Sequence, residues 1–319
     1  MTIEGSRVLI TGGAGFIGSY VSEMLSDICD VLILDNLSSG KKEFVRSLIK
    51  QQKVKFVKAD IVNDSIKQFL KDIDVVIHLA SNPDVRAGIK QPSLHFEANV
   101  IATHRLLEAM AVSQVKEIHY ASTSTVYGEP KKVPTAEDYG PLIPISVYGA
   151  TKLASEALIT AYAKMKGWRT LLFRFANVVG GRSTHGVMFD FVKKLRKNPK
   201  HLEILGKFPG TSKSYIHVSD IVSGMMSAWR ASGESVEIFN IGSEDVLSVE
   251  KIADIVCEEM ELRDVEYGWE GGINGGRGWA GDVKHMMLSI EKLMATGWRP
   301  KYNSAESIRL AVKEFLIKQ

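Results

Sequence analysis

The sequence predicts an α/β fold, a doubly wound parallel sheet of the Rossmann type with a smaller, interleaved C-terminal lobe that would select a substrate. Three observations lead there. Short apolar runs alternate with longer amphipathic stretches through the first half of the chain. A glycine-rich turn joins the first run to the first helical stretch, and after about Arg174 the alternation gives way to glycine and proline clusters.

The strand candidates are Val8–Thr11, Val31–Leu34, Val54–Val57, Val75–Leu79, Ile118–Ala121 and Thr170–Arg174. Their apolar residues are largely consecutive rather than alternating, as strands covered on both faces require. Helical spacing falls between them at about Phe16–Leu25, Pro92–Val112 and Val147–Lys166. Beyond Arg174, glycines and prolines gather at Gly180–Gly186, Gly206–Gly210 and Gly268–Gly281. Between them Val249, Ile252, Ala253, Val256 and Met260 form one apolar helical face. A last helix is expected from Asn303, with Glu306 completing a capping box and Ile308, Ala311, Val312 and Phe315 buried. No Pro/Ser-rich linker, fixed-period repeat or low-complexity segment interrupts the chain. Residues 1–175 are therefore expected to build the nucleotide-binding domain and residues 176–319 the second lobe, with some segments interleaved.

Composition excludes several classes of function. Charged residues make up 24% and hydrophobic ones 45%, an ordinary globular balance. A formal charge of +3 offers no basic face for nucleic acid and little attraction to a membrane surface. No apolar run reaches the roughly 18 residues that a membrane span needs. The apolar N-terminus carries Glu4 and Arg7 and runs into glycines, so it reads as a strand rather than a signal peptide. Two cysteines, Cys29 and Cys257, cannot form a disulfide framework, which fits a reducing cytoplasm. The eight histidines show neither H-x-x-H nor H-E-x-x-H spacing, so no metal is expected. His78, inside an apolar run, reads as a hydrogen-bonded core residue, and Met286 and Met287 as filler. Lys193, Lys194, Arg196 and Lys197 read as a solvated helix face.

The first strand leads into Thr11-Gly12-Gly13-Ala14-Gly15-Phe16-Ile17-Gly18. Glycines at 12, 15 and 18 allow a tight turn and let backbone N–H groups approach a pyrophosphate at the positive end of the following helix. The second strand ends at Asp35, where a carboxylate accepts hydrogen bonds from adenosine ribose hydroxyls. It would also repel a 2′-phosphate, and no Arg directly follows, so NAD is expected rather than NADP. Asp60 suits the adenine edge, although a strand-end aspartate also serves as a loop cap.

Tyr148 and Lys152 lie four residues apart, about 6 Å along one helix face. An ammonium beside a phenol favours the phenolate and makes tyrosine a usable base. The same spacing occurs at Tyr127 and Tyr162. Pro130 keeps the first from being helical, and the second lies about 21 Å further along the helix, away from a ligand at the sheet's carboxyl edge. The stretch Ala121-Ser122-Thr123-Ser124-Thr125-Val126-Tyr127-Gly128 ends another strand in hydroxyls, which either serve a substrate oxygen or simply cap the turn.

In this order TGGAGFIGS, LDN, the hydroxyl-rich strand end closing in VYG, YGATK, RFANVVG, SYIHVSD and FNIG resemble the extended short-chain dehydrogenase/reductases. Within them the chain resembles the nucleotide-sugar epimerases that interconvert UDP-glucose and UDP-galactose, from about Arg7 to Pro300. The resemblance implies an NAD-dependent epimerisation at C4 of a UDP-sugar through a transient 4-keto intermediate. It implies Thr123, Tyr148 and Lys152 as the catalytic set. It places Gly12, Gly15, Phe16, Ile17, Asp35, Asn36, Asp60, Ile61, Leu79, Ala80, Ser81, Asn99, Tyr148 and Lys152 at the cofactor. Thr123, Tyr148, Asn177, Lys213, Arg277 and Asp282 would meet the substrate. Tyr215 and His217 would pack the second lobe, and two long helices would form a homodimeric four-helix bundle; the Ser183–Gly186 loop, just ahead of the helix near Val187, either closes over the sugar or is an ordinary connection.

Three departures stand out. Related 4,6-dehydratases carry Asp-Glu where this chain has Ser124-Thr125, and sugar-acid decarboxylases keep a Glu at the Thr125 position. Lys213-Ser214 replaces a common Arg, and Arg277 lies four residues before Gly281 instead of beside it, which leaves the diphosphate contacts open. Other 4-epimerases of N-acetylated or uronic-acid sugars, a net NAD-dependent dehydrogenase and a non-catalytic NAD-binding regulator are the alternative readings.

Overall fold

Valine, leucine and isoleucine at consecutive positions favour extended backbone covered on both faces, and the computed structural model, which describes residues 3–273 and 275–317, shows this in the first strands. The first six are β1 (Arg7–Thr11), β2 (Asp30–Asp35), β3 (Val54–Lys58), β4 (Val75–His78), β5 (Glu117–Thr123) and β6 (Arg169–Phe175). Val8, Leu9 and Ile10 of β1 and Val75, Val76 and Ile77 of β4 are buried. Further along follow β7 (Asn177–Val179), β8 (His201–Leu205), β9 (Ser212–Lys213), β10 (Tyr215–His217) and β11 (Val236–Ile241). The last three are β12 (Leu247–Ser248), β13 (Glu266–Glu270) and β14 (His285–Met286).

The main sheet has the order β11-β6-β5-β4-β1-β2-β3. Parallel registers such as Val8↔Val31, Val8↔Val75 and Val76↔Ile118 fix its centre. The strand order reverses between β1 and β4, and the carboxyl ends of those two strands therefore border the place where a doubly wound sheet binds its ligand. This confirms the doubly wound α/β sheet expected from the sequence.

Helices Phe16–Leu25 and Val147–Lys166 have the expected bounds. The Pro92–Val112 stretch differs. It is α-helical over Pro92–His95 and Ala102–Ala111, but the intervening Phe96–Ile101 forms a π-helix. The wider turn buries Asn99 to 1% exposure, and its amide Nδ2 donates to Thr151 Oγ1 at 2.9 Å. Apolar periodicity cannot reveal such a turn, because a buried polar bond holds it. Strand β5 starts at Glu117 rather than Ile118 for a similar reason. The buried Glu117 carboxylate accepts from His119 Nε2 at 2.8 Å and Arg169 Nη1 at 2.9 Å. Arg169 also donates to the carbonyls of Trp229 and Ser232.

Two compact units emerge. The first comprises the chain up to Thr123 with Ala150–Arg174 and Met225–Phe239. Its core holds Leu9, Leu34, Val76, Leu106, Ile118 and Ile159. The second comprises Ser124–Gly149, Phe175–Gly224 and the chain from Asn240 onward, with a core of Val192, Leu202, Ile252, Val256, Val312 and Phe315. Small sheets β10-β7, β12-β9-β14 and β13-β8 build it. The capping box is formed: Asn303 N donates to Glu306 Oε2 and Glu306 N to Asn303 Oδ1, both at 2.9 Å, ahead of helix Ser304–Ile317.

His78 hydrogen-bonds through both ring nitrogens, to Thr11 Oγ1 at 2.7 Å and Thr103 Oγ1 at 3.0 Å, as a core histidine should. The basic run of helix Val187–Lys197 is not merely solvated. Lys193 lies over the Phe189 ring, Arg196 over Phe315, and Lys194 reaches Glu203. Among the described residues no helix is long and apolar enough to cross a membrane. Leu106, buried in the first core, gives a direct test: Leu106→Ala should lose roughly 2–5 kcal/mol of stability, read as a lower urea midpoint.

Candidate functional site

Within the first unit, the turn after β1 and the segment after β4 meet. Leu79 N donates to Thr11 O at 3.0 Å, and a Cβ on Gly12 (φ +70°) would lie 2.7 Å from Ala80 N. Only glycine allows that approach. A Cβ on Gly18 would overlap the Gly12 carbonyl oxygen. Gly15, the N-cap of helix Phe16–Leu25, makes no side-chain cap bond, so the first-turn N–H groups are left for a ligand. Leu79, Ala80 and Ser81 thus line the same sheet edge as Gly12, Gly15, Phe16 and Ile17.

Asp35 ends β2 and is buried, with Oδ2 accepting from Ala14 N at 3.0 Å and Oδ1 from Leu37 N at 2.8 Å. Burial pushes its carboxyl above the ordinary range despite those two bonds. Each oxygen keeps one lone pair for a ribose hydroxyl. Asp60 lies two residues past the end of β3 and accepts from Asn36 Nδ2 at 3.3 Å, Asn63 Nδ2 at 3.2 Å and Val62 N at 2.8 Å. Partial burial pushes its carboxyl up, but these bonds outweigh it and hold the group below the ordinary range. Asn36 and Asp60 therefore form one polar rim, and Ile61 is buried behind it. A glycine cradle, an uncapped helix end and a half-satisfied carboxylate together fit an adenine dinucleotide.

Thr123 is the last residue of β5, and Lys152 occupies the second turn of helix Val147–Lys166. Lys152 is 2% exposed, with Nζ 4.3 Å from the centroid of the Tyr120 ring. Burial pushes its ammonium down to about 7, opposed by the charge of Glu156. Asn99 Oδ1, buried with no hydrogen-bond partner, is an acceptor held ready in the same unit.

In the second unit, Tyr148 sits in the first turn of that helix. The chain just before it, at Ile145 and Ser146, lies against Gly281, where a Cβ would come within 3.0 Å of Ile145 O. Asp282 follows, and its Oδ1 pairs with Lys213 Nζ at 2.5 Å. Asn177 donates through Nδ2 to Ser214 O at 3.0 Å. Asn177, Lys213 and Asp282 thus share one neighbourhood, built by β7, β9 and the segment before β14. Arg277 instead pairs with Glu129.

Sequence reading missed Tyr120 beneath Lys152, Glu129 against Arg277, and the buried trio Glu156, Arg174 and Ser122. Glu156 was findable, since it lies four residues after Lys152 on the same helix face. Glu129 was not, because its partner lies 148 residues away.

The family described as NAD dependent epimerase/dehydratase matches residues 8–242. A putative UDP-glucose 4-epimerase of Methanocaldococcus jannaschii is 33% identical over 96% of this chain and 97% of its own length. The crystal structure of a UDP-galactose 4-epimerase superposes with a TM-score of 0.87 at 39% identity, covering 98% of this chain and 99% of that one. The Thermus thermophilus UDP-glucose 4-epimerase in complex with NAD gives 0.83 at 32% identity, covering 97% and 99%.

Gly18→Ala, which drives a methyl group into the Gly12 carbonyl, should weaken NAD binding to the apoprotein by roughly tenfold or more in calorimetry. Unchanged affinity would mean that the turn does not hold the cofactor.

Proposed function

The chain belongs to the NAD dependent epimerase/dehydratase family, and on that premise we propose that it interconverts UDP-glucose and UDP-galactose by epimerisation at C4. The observation that carries this reading is Tyr148 one helical turn ahead of the buried, strongly perturbed Lys152. The Gly12–Gly18 turn would hold the NAD pyrophosphate and Asp35 a ribose, with Asn36, Asp60, Ile61, Leu79, Ala80, Ser81 and Asn99 lining the rest. Bound NAD supplies the acceptor, and then the donor, of the hydrogen at C4.

Tyr148, as phenolate, takes the proton of the sugar 4-hydroxyl, and Lys152 in its ammonium form lowers the energy of that phenolate. The two share a proton economy: with the lysine pushed down to about 7, its support for the phenolate weakens as pH rises through neutrality. Thr123 orients the 4-oxygen. The 4-keto sugar then turns about its diphosphate, so that reduction occurs on the opposite face. Asn177, Lys213, Arg277 and Asp282 would hold the nucleotide end during that turn, Lys213 as a point charge rather than a fork. Ser124 and Thr125 provide no carboxylate for a dehydratase's elimination.

Residues 1–175 would serve mainly the cofactor and residues 176–319 mainly the sugar nucleotide. A cytoplasmic setting is supported by the two free thiols Cys29 and Cys257. A homodimer formed through the Pro92–Ala111 and Val147–Lys166 helices is supported by Phe96, 51% exposed at the start of the π-helix, and by nearby Ile89 at 53%.

A coupled assay should detect UDP-glucose from UDP-galactose with no net NADH accumulation, and a panel with UDP-N-acetylglucosamine and UDP-glucuronate should show the hexose pair preferred. Absence of product from NAD-loaded protein would overturn the substrate assignment. Tyr148→Phe should lower kcat by about 100-fold or more while NAD stays bound; near-native turnover would remove Tyr148 from the mechanism. Light scattering should give twice the 35.2 kDa chain mass, and Phe96→Glu the chain mass itself.

A further inference from the structure

We propose that Glu156, clamped by Arg174 and Ser122, is a positioning residue that keeps Lys152 protonated for its work with Tyr148. The proposal rests on the reading that Tyr148 and Lys152 form the proton-transfer pair. Tyr148, Lys152 and Glu156 fall at i, i+4 and i+8 of one helix and so share a face. Glu156 is fixed there by three bonds. Arg174 of β6 donates from Nε to Oε1 at 3.0 Å and from Nη2 to Oε2 at 2.7 Å, a bidentate fork, and Ser122 of β5 donates to Oε1. Glu156, Arg174 and Ser122 are all buried.

A buried carboxylate without such donors takes up a proton and loses its charge. Glu156 has those donors in Arg174 and Ser122, which fix the carboxylate one turn beyond Lys152. The other groups facing Lys152 cannot replace it. Tyr148, one turn earlier on the helix, is the group to be activated. Tyr120 of β5 offers only its ring face, 4.3 Å away. His78 of β4, whose ring lies 5.5 Å from that of Tyr120, is bound to two threonine hydroxyls. Burial and the Lys152 charge push it down to about 3, so it is neutral. Among these groups Glu156 alone is a carboxylate, and its charge is what opposes the desolvation of the Lys152 ammonium. A buried ion pair is weak evidence for stability, since apolar replacements of similar size often serve as well. Its place on the Lys152 face gives it an electrostatic purpose instead.

The test is a titration of the full chain carrying ε-13C lysine, with the Lys152 signal assigned by its loss in Lys152→Arg. In Glu156→Gln the Lys152 midpoint should fall by about one pH unit or more, because the carboxylate is gone and the Arg174 cation remains. In the same variant kcat at pH 7 should fall about fivefold or more with KM little changed, and the pH profile of kcat should move. The double variant Glu156→Gln/Arg174→Met, which also removes the Arg174 cation, should have a midpoint between those of the single variant and the native protein. If the single variant does not fold, the double variant carries the test through a midpoint below native. A native midpoint in either variant, or a loss of kcat equal at every pH, would overturn the proposal and leave the trio as structural glue. The titration needs neither sugar nor turnover. Failure of the epimerase reading, seen as no product from the native protein, is therefore a separate result.

Discussion

Burying one ammonium is the costly act around which the first unit is organised. Lys152 lies one helical turn from the Tyr148 phenol, and desolvation there drives its proton off. The surroundings answer that cost in layers. The Tyr120 ring lies against Nζ, a neutral His78 held by two hydroxyls lies behind the ring, and a clamped carboxylate stands one turn along the helix. Each comes from a different element, so β4, β5, β6 and the Val147–Lys166 helix must all be in register before the lysine has these neighbours.

The second constraint is the contact of backbone with backbone where the strand order reverses. The turn after β1 and the chain after β4 approach so closely at Gly12 and Ala80 that no side chain fits between them. That closeness leaves the first-turn N–H groups of helix Phe16–Leu25 at the mouth of the sheet, where an anion binds without any net positive charge on the protein. A formal charge of only +3 is thus compatible with a doubly charged ligand. The second unit follows the same economy. Its two candidate phosphate-binding cations are each already matched, Lys213 with Asp282 and Arg277 with Glu129.

Local regularity was legible in the residues. The bounds of helix Phe16–Leu25 follow from apolar spacing and a glycine start, those of Val147–Lys166 from apolar spacing, and the capping box at Asn303 and Glu306 from two residues three apart. The π-turn at Phe96–Ile101 did not, because it is stabilised by the bond of Asn99 to Thr151, 52 residues away in the chain. The start of β5 at Glu117 was hidden for the same reason, since its carboxylate is satisfied by Arg169 across the sheet.

Sequence by itself determined the class of fold, the glycine turn with its acidic partner Asp35, and the spacing that sets Tyr148 and Lys152 on one helix face. These are short-range properties, fixed by backbone conformation and by residues a few positions apart. Tertiary structure alone decided how strongly Lys152 is buried, which residues clamp Glu156 beside it, and which carboxylates pair with Lys213 and Arg277. Those properties depend on dielectric and on partners brought together from distant parts of the chain, and no local pattern encodes either.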